Sequence, residues 1–221
     1  MTLLRNLFIC MYLLISSLAN SQMDTLRIKN PSFEGPITIG GSSEFSLQRL
    51  INWHDCGKIN FPKETPPDIH PNGFWGNNFP AFDGETYLGM VVRDNDTYEA
   101  VSTNLDAPLK GGKCYKFSIY LARSEEYLSR SRVTNEQANY TIPAILEIWG
   151  GSSYCKETEF LGETIPVKNT NWKIYTFELS PKKTHTTITL AANYVDLTDW
   201  PYCGHILLDG ASDVIEIPCN K

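Results

Sequence analysis

The sequence predicts an all-β protein built as an antiparallel sandwich or barrel. Short runs rich in β-branched and aromatic residues recur along the chain, separated by Gly, Pro, Asn and Asp, and helical periodicity is almost absent after the first 21 residues. In residues 115–121 the larger apolar side chains alternate with smaller or polar ones, as in a strand with one buried face. Many short strands with turn signals between them are typical of a sandwich or barrel.

This pattern predicts strands along most of the chain. The clearest are residues 86–93, 98–105, 114–122, 144–149, 172–179, 184–194 and 205–217. Residues 52–83 break the pattern with many prolines and aromatic residues, which indicates a long functional loop. Residues 124–141 are polar and predict a solvated loop, with a short helix as the alternative.

Residues 1–21 have the pattern of an export signal. Arg5 precedes an apolar run of about a dozen residues, too short to span a bilayer, and Ala19 and Ser21 predict cleavage before Gln22. An uncleaved anchor is the alternative. We expect residues 22–221 to form one exported domain without membrane insertion, located in the periplasm, on the outer membrane or outside the cell.

The charge balance argues against nucleic acid as a partner. The formal net charge is −6 and no basic run occurs, whereas affinity for nucleic acid depends on neutralising phosphates with Lys and Arg.

Five cysteines would remain after signal cleavage, and export makes them disulfide candidates. They are Cys56, Cys114, Cys155, Cys203 and Cys219. An odd number leaves at least one without an intramolecular partner. We predict Cys56–Cys203 and Cys114–Cys219, with Cys155 unpaired, although spacing alone leaves the connectivity open. Zinc held by His54, Cys56, Cys203 and His205 is a weaker alternative because the spacers are short.

Several motifs together resemble a known family. They are Lys-Asn-Pro-Ser-Phe-Glu-Gly at 29–35, Trp53, Gly-Glu-Thr-Tyr-Leu-Gly at 84–89, Trp172 with Tyr175 and Phe177, and Ile-Leu-Leu-Asp-Gly-Ala-Ser at 206–212. Their order resembles the galactose-binding-like jelly rolls, the fold of many carbohydrate-binding modules, and looks closest to those of exported flavobacterium-like bacterial proteins. The resemblance implies a jelly-roll β-sandwich and covers roughly residues 28–217.

The resemblance also implies a structural calcium ion between the first and last strands. By position, Glu34 and Asp209 match the carboxylate ligands, helped by backbone carbonyls near Asn30 and Ser32. Calcium binds six to eight oxygens, which carboxylates and carbonyls at strand ends supply. The alternative is that Glu34 and Asp209 pair with lysines or backbone amides.

The long loop is the main candidate for a ligand site. Aromatic planes suit the apolar faces of sugars, and amides or carboxylates suit their hydroxyls. Both kinds of group occur together in Phe74, Trp75, Asn77, Asn78 and Asp83. The alternative is that Trp75 and Phe79 bury the loop's own apolar surface. We assign Trp53 to the core and keep Trp149 and Trp200 as secondary ligand candidates.

The sequence carries no recognised catalytic motif: neither a nucleophile elbow, nor His-Glu-x-x-His, nor a phosphate-binding glycine loop. We therefore predict a non-catalytic exported protein that binds a glycan through loop aromatics. The alternative is a structural or adhesive subunit of a cell-envelope complex, which uses exposed aromatics to bind protein rather than sugar.

Overall fold

A computed structural model describes residues 23–37, 50–71, 75, 77–195 and 201–219. The predicted export signal, Phe74 and Trp200 lie outside the described residues. Strands account for nearly all of the regular structure, as the sequence predicts, and the one helix assigned within these ranges has four residues.

The strands and the helix follow one another along the chain in this order. The first half contains β1 (Thr25–Leu26), β2 (His54–Asp55), α1 (Gly57–Asn60), β3 (Asp68–His70), β4 (Tyr87–Arg93), β5 (Thr97–Tyr98), β6 (Ala100–Leu109) and β7 (Cys114–Ala122). The second half contains β8 (Leu128–Arg130), β9 (Gln137–Asn139), β10 (Ile142–Pro143), β11 (Ile145–Gly151), β12 (Glu159–Glu163), β13 (Lys173–Leu179), β14 (His185–Asn193), β15 (Gly204–Asp209) and β16 (Val214–Ile217).

Two sheets pack face to face as a β-sandwich. Within the described ranges, sheet A has nine strands, with the order β1-β16-β7-β15-β4-β3 and with β13, β5 and β10 attached to it. Sheet B has five strands in the order β12-β11-β14-β6-β2. Neighbouring strands are antiparallel except β10 and β15. Along the chain the strands cross repeatedly between the two layers, as from β5 to β6, β6 to β7, β12 to β13, β13 to β14 and β14 to β15, which is typical of a jelly roll.

The core lies between the sheets and is built by strand alternation. In β7, Tyr115, Phe117, Ile119 and Leu121 are all at most 1% exposed, which confirms the periodicity predicted for that strand. Trp53 is also buried in this core, as predicted, and donates its indole N–H to the carbonyl of Asn30.

Two sequence predictions about the strands were wrong. The run 205–217 is two strands, because Gly210 takes a positive φ of 52° and turns the chain between β15 and β16. The polar stretch 124–141 is not a loop throughout, because it contains the β8–β9 hairpin. Tyr127 and Tyr140 flank this hairpin and are buried on sheet A, so two aromatic anchors order an otherwise polar segment.

Among the described residues, no helix has the length and apolar character that crossing a bilayer requires.

Candidate binding surface

The outward face of β11 carries a glutamate and a tryptophan. Alternation turns Leu146 and Ile148 into the core, where both are fully buried, and turns Glu147 and Trp149 to the outside of sheet B. Both outward side chains are half-buried. The outer face of sheet B therefore presents side chains that are held in place yet accessible.

Four aromatic rings lie along this face, and we call them the aromatic strip: Phe160, Trp149, Tyr98 and Phe61. Trp149 meets Phe160 of β12 edge to face, with ring centroids 5.3 Å apart. Tyr98 meets Phe61 in the same manner at 5.1 Å. Trp149 and Tyr98 both pack against one small buried group, formed by Cys56, Ala100 and Ala191. Cys155 also packs against this group, which is at most 1% exposed and lies beneath both Trp149 and Tyr98.

Glu147 is oriented by two hydrogen bonds within the strip. The indole N–H of Trp149 donates to Oε2 at 2.9 Å, and the amide of Asn193 donates to Oε1 at 2.7 Å. Each carboxylate oxygen has a further lone pair, so Glu147 can still accept from a ligand hydroxyl. The same bond fixes the plane of the Trp149 ring.

A second glutamate lies beside this group. Burial raises the pKa of Glu157, and the charge of Glu147 raises it further. Glu157 Oε1 is shielded from solvent and receives no hydrogen bond from the described residues. Burial, followed by the charges of Glu157, Glu147 and Asp96, raises the pKa of Tyr98 to about 12, so its hydroxyl stays protonated at neutral pH.

A loop tied down by a disulfide covers the rest of the face, and we call residues 152–158 the tethered loop. Cys155 in this loop is bonded to Cys56, which follows β2 at the far edge of sheet B. Tyr154 stacks on His54 with ring centroids 3.5 Å apart. Three outward hydroxyl side chains are thereby buried: Ser102, Thr187 and Thr189. The aromatic strip is the part of the face that stays accessible.

The observed disulfides correct one of the two predicted pairings. Cys114–Cys219 forms as predicted, but Cys56 pairs with Cys155, and Cys203 is free. Cys56 and Cys155 both lie on the outer side of sheet B, whereas Cys203 directly precedes β15 in sheet A. The pairing Cys56–Cys203 was wrong because the two residues belong to opposite layers, and the disulfide also removes Cys56 from the alternative zinc set.

The loop residues predicted to bind a ligand are divided between buried and exposed positions. Trp75 is half-buried and donates its indole N–H to a buried carboxylate, and Asn77 is fully buried. Asn78 and Asp83 are exposed, while Phe74 lies outside the described residues. Asn77 cannot touch a ligand with the loop in this position. A binding role for the other residues stays a prediction.

A buried polar cluster anchors this loop on the outer face of sheet A. Trp75 and Tyr127 both donate to Oδ2 of Asp68, at 2.5 Å and 3.2 Å. The hydroxyl of Tyr127 also lies 3.3 Å from Nε2 of His70. The indole of Trp75 is therefore committed to this cluster, which supports the packing alternative for that residue.

Two histidines in this region are neutral. Nδ1 of His205 donates to the carbonyl of Tyr140, so Nε2 is the acceptor for the backbone N–H of Ser124 at 2.7 Å. Burial lowers the pKa of His205 to about 4, helped by the charge of Arg123. Burial lowers the pKa of His70 to about 3, and a charge on His205 would lower it further.

The residues predicted to bind calcium already have protein donors. Backbone amides point at both carboxylates: those of Glu85 and Thr86 at Glu34, and those of Phe82, Asp83 and Gly210 at Asp209. Asn30 Oδ1 accepts from the Glu34 amide, and Ser32 donates to Asp83. As arranged, these N–H donors compete with a cation for the carboxylate oxygens.

Two further observations bear on the same site. Burial raises the pKa of Asp209 to about 6, although the three backbone hydrogen bonds oppose this shift. Within the described ranges, no group of three or more His, Cys, Asp and Glu side chains is placed to hold a metal ion. Calcium binding stays a prediction.

The sequence pattern predicts part of the aromatic strip. The alternation Leu146-Glu147-Ile148-Trp149 places a carboxylate and an indole on one face of a strand, and Trp149 was kept as a secondary candidate. Tyr98 and Glu157 come from other parts of the chain. The fold brings them together: Tyr98 and Trp149 pack against one buried group, and the charge of Glu147 acts on Glu157.

Comparisons with known proteins concern the fold. No protein-family model and no curated protein sequence matches the chain. An arabinose-bound GH51 α-L-arabinofuranosidase is similar with a TM-score of 0.50 and 10% identity over 89% of this chain. The chain spans 27% of the length of that enzyme. At this identity the similarity supports the β-sandwich and nothing more specific.

Two further solved structures align at lower TM-scores. The K3 adhesin domain of Lys-gingipain from Porphyromonas gingivalis W83 has a TM-score of 0.46 and 12% identity, over 88% of this chain and 98% of that domain. The CBM22-1 xylan-binding domain of Paenibacillus barcinonensis Xyn10C has a TM-score of 0.44 and 12% identity, over 84% of this chain and 97% of that domain.

Proposed function

We propose that this protein binds a glycan, without transforming it, on the outer face of sheet B. The observation that supports this best is the aromatic strip with Glu147 and Asn193 between its two ring pairs. The ligand surface that we propose therefore lies mainly on the strands of sheet B and not on the loop favoured by the sequence.

The chemistry of the strip suits a chain of sugar units. The apolar C–H faces of sugars lie against aromatic rings, while their hydroxyls need nearby acceptors and donors. Trp149 and Phe160 supply rings, Phe160 being 46% exposed, and Glu147 supplies an oriented acceptor. Because the surface is shallow and its polar groups must be desolvated, a single site of this kind binds with modest affinity.

The disulfides and the predicted export signal both bear on the compartment in which the protein acts. Two intramolecular disulfides are stable in oxidising compartments and rare in the cytosol. Together with the export signal predicted at residues 1–21, they support a protein that acts outside the cytoplasm, where polysaccharides are accessible.

A glycan array with four variants tests the proposal. We expect the purified protein to bind one class of polysaccharide, and Phe160→Ala and Trp149→Ala to weaken that binding about tenfold or more. Phe82→Ala is the matched control, because Phe82 is 44% exposed but lies on the opposite sheet. Trp75→Ala tests the loop predicted from the sequence. Absence of binding by the folded protein would reject the proposal.

A patch on sheet A gives the protein-binding alternative a specific surface. Phe82 stacks on Tyr120 at 3.5 Å, and Ile174 lies directly opposite Tyr120 in the β7–β13 ladder and is 56% exposed. An exposed apolar patch on a sheet face is typical of a protein interface. Loss of a co-purifying protein in Phe82→Ala, with glycan binding absent, would favour this alternative.

A further inference from the structure

The outer face of sheet B carries uncompensated negative charge next to its aromatic rings. Glu147 of β11 and Glu163 of β12 are direct cross-strand partners and therefore project from the same side of the sheet. Glu157 lies close enough for the charge of Glu147 to act on it. None of the ion pairs found among the described residues includes any of these three glutamates.

This arrangement costs stability in the free protein. Like charges directly opposite each other in a ladder are unfavourable, and a shielded carboxylate oxygen without a donor is more so. Glu157 Oε1 is such an oxygen. A ligand that brings a positive charge to this surface would relieve the repulsion between Glu147 and Glu163.

The aromatic rings indicate which chemical group of a ligand would carry this positive charge. Electron-rich ring faces attract ammonium groups, and the attraction adds to that of the carboxylates. Trp149, Phe160 and Tyr98 border the region in which Glu147 and Glu157 lie. A metal ion is less suited, because it requires several converging oxygens rather than ring faces.

We propose that the aromatic strip selects glycans whose sugar units carry protonated amines, such as glucosamine oligomers, over neutral and acidic glycans. The inference rests on the proposed glycan-binding function and assigns its ligand class. Sugar rings lie on Trp149 and Phe160, while an ammonium group donates to Glu147 and is attracted by the charges of Glu163 and Glu157. Uronic-acid and sulfated chains are rejected by the same carboxylates.

Three sugar hexamers with the same glycosidic linkage test the contribution of the amine to binding. Glucosamine, N-acetylglucosamine and glucose hexamers differ in the group at the second carbon: ammonium, acetamide or hydroxyl. We expect calorimetric titration of the purified protein to give a dissociation constant about tenfold lower for the glucosamine hexamer than for the glucose hexamer. The difference should shrink as salt is added, because salt screens exposed charges.

Two variants and a control assign the effect to this surface. Glu157→Gln and Glu163→Gln should each reduce the glucosamine preference to about threefold or less without lowering the melting temperature, because each removes an unpaired charge. Glu126→Gln removes one charge from an exposed loop on the other side of the protein and should leave the preference unchanged. Equal loss in all three variants would show attraction by net charge alone and overturn the inference.

The remaining outcomes separate this inference from the proposed function. Equal affinity for all three hexamers would overturn the amine preference and leave glycan binding standing. Binding of a lysine hexamer as tightly as the glucosamine hexamer would show a cation site without sugar recognition. Failure of every glycan to bind would reject both proposals.

Discussion

Cys56 and Cys155 are 99 residues apart in the chain and form a disulfide across the outer face of sheet B. Cys56 begins the turn that leads into α1, whereas Cys155 belongs to the loop between β11 and β12. The disulfide therefore joins the two opposite edges of one sheet. It also holds the tethered loop over hydroxyl side chains that would otherwise face water.

Removal of this disulfide should destabilise the protein. In the double variant Cys56→Ala/Cys155→Ala we expect the free energy of unfolding to fall by about 2–5 kcal/mol, because the cross-link restricts a long segment of the unfolded chain. Urea titration followed by tryptophan fluorescence measures the change. Cys203→Ala, which removes the free thiol, should cost about 1 kcal/mol or less. A similar loss in both proteins would contradict the assigned pairing.

Acid should destabilise the fold through two buried histidines. His70 and His205 have pKa values of about 3 and about 4, below the unfolded value near 6.5. A lowered pKa means that the unfolded chain binds protons first, so stability is complete above pH 6.5 and is lost as the pH falls toward 4. From these two histidines alone we expect a loss of about 2–4 kcal/mol between pH 7 and pH 5. Asp209 and Glu99 oppose this loss, because their raised pKa values make the folded protein bind protons first.

The histidine variants identify the groups responsible. His205→Asn should make the pH dependence of the unfolding free energy shallower by about one proton, whatever it does to stability at neutral pH. An unchanged slope in His205→Asn would show that His205 has the same protonation in the folded and the unfolded states.

Features that depend on neighbouring residues could be predicted from the sequence, whereas features that depend on tertiary contacts could not. The bounds of β7 agree with the prediction because alternating burial is a property of neighbouring residues, which a short window contains. The β8–β9 hairpin was missed because its own residues are polar, and the side chains that order it, Tyr127 and Tyr140, lie outside the two strands. Tertiary anchoring overrode local propensity there.

Which residues meet in the proposed binding surface, and which cysteines pair, depends on the arrangement of the strands rather than on local sequence pattern. Glu147 and Trp149 share a strand face that the sequence shows, but the approach of Tyr98 and Glu157 requires strand order and a folded loop. The partner of Cys56 likewise depends on which layer each strand enters. No spacing rule distinguishes Cys155 from Cys203 until the two sheets are known.

A buried ion pair joins β4 to the segment before β6. Arg93 and Glu99 are 1% and 2% exposed, and Arg93 Nη2 donates to Glu99 Oε1 and to the carbonyl of Thr65. Burial raises the pKa of Glu99, and the charge of Arg93 opposes that shift. Each ion is therefore tolerated because of the other.

Single and double variants should differ in a characteristic way. Arg93→Met should cost about 3–5 kcal/mol, because it leaves a buried carboxylate without its partner. The double variant Arg93→Met/Glu99→Leu should be more stable than the single one, since no isolated charge remains. Urea titrations of the four proteins complete the cycle. Additive losses would show that the two side chains do not interact.

The family resemblance implies calcium at Glu34 and Asp209, whereas the hydrogen bonds of both carboxylates argue against it. Five backbone amides donate to Glu34 and Asp209, so both carboxylates are stabilised as anions without a cation. We expect the melting temperature to change by less than about 2 °C between excess calcium and a chelator, because a ligand that does not bind the folded state cannot stabilise it. Glu34→Gln should lower the melting temperature equally in both buffers. A rise that depends on calcium concentration and is lost in Asp209→Asn would establish the ion implied by the jelly-roll resemblance, and the amides would then be sharing these oxygens with it.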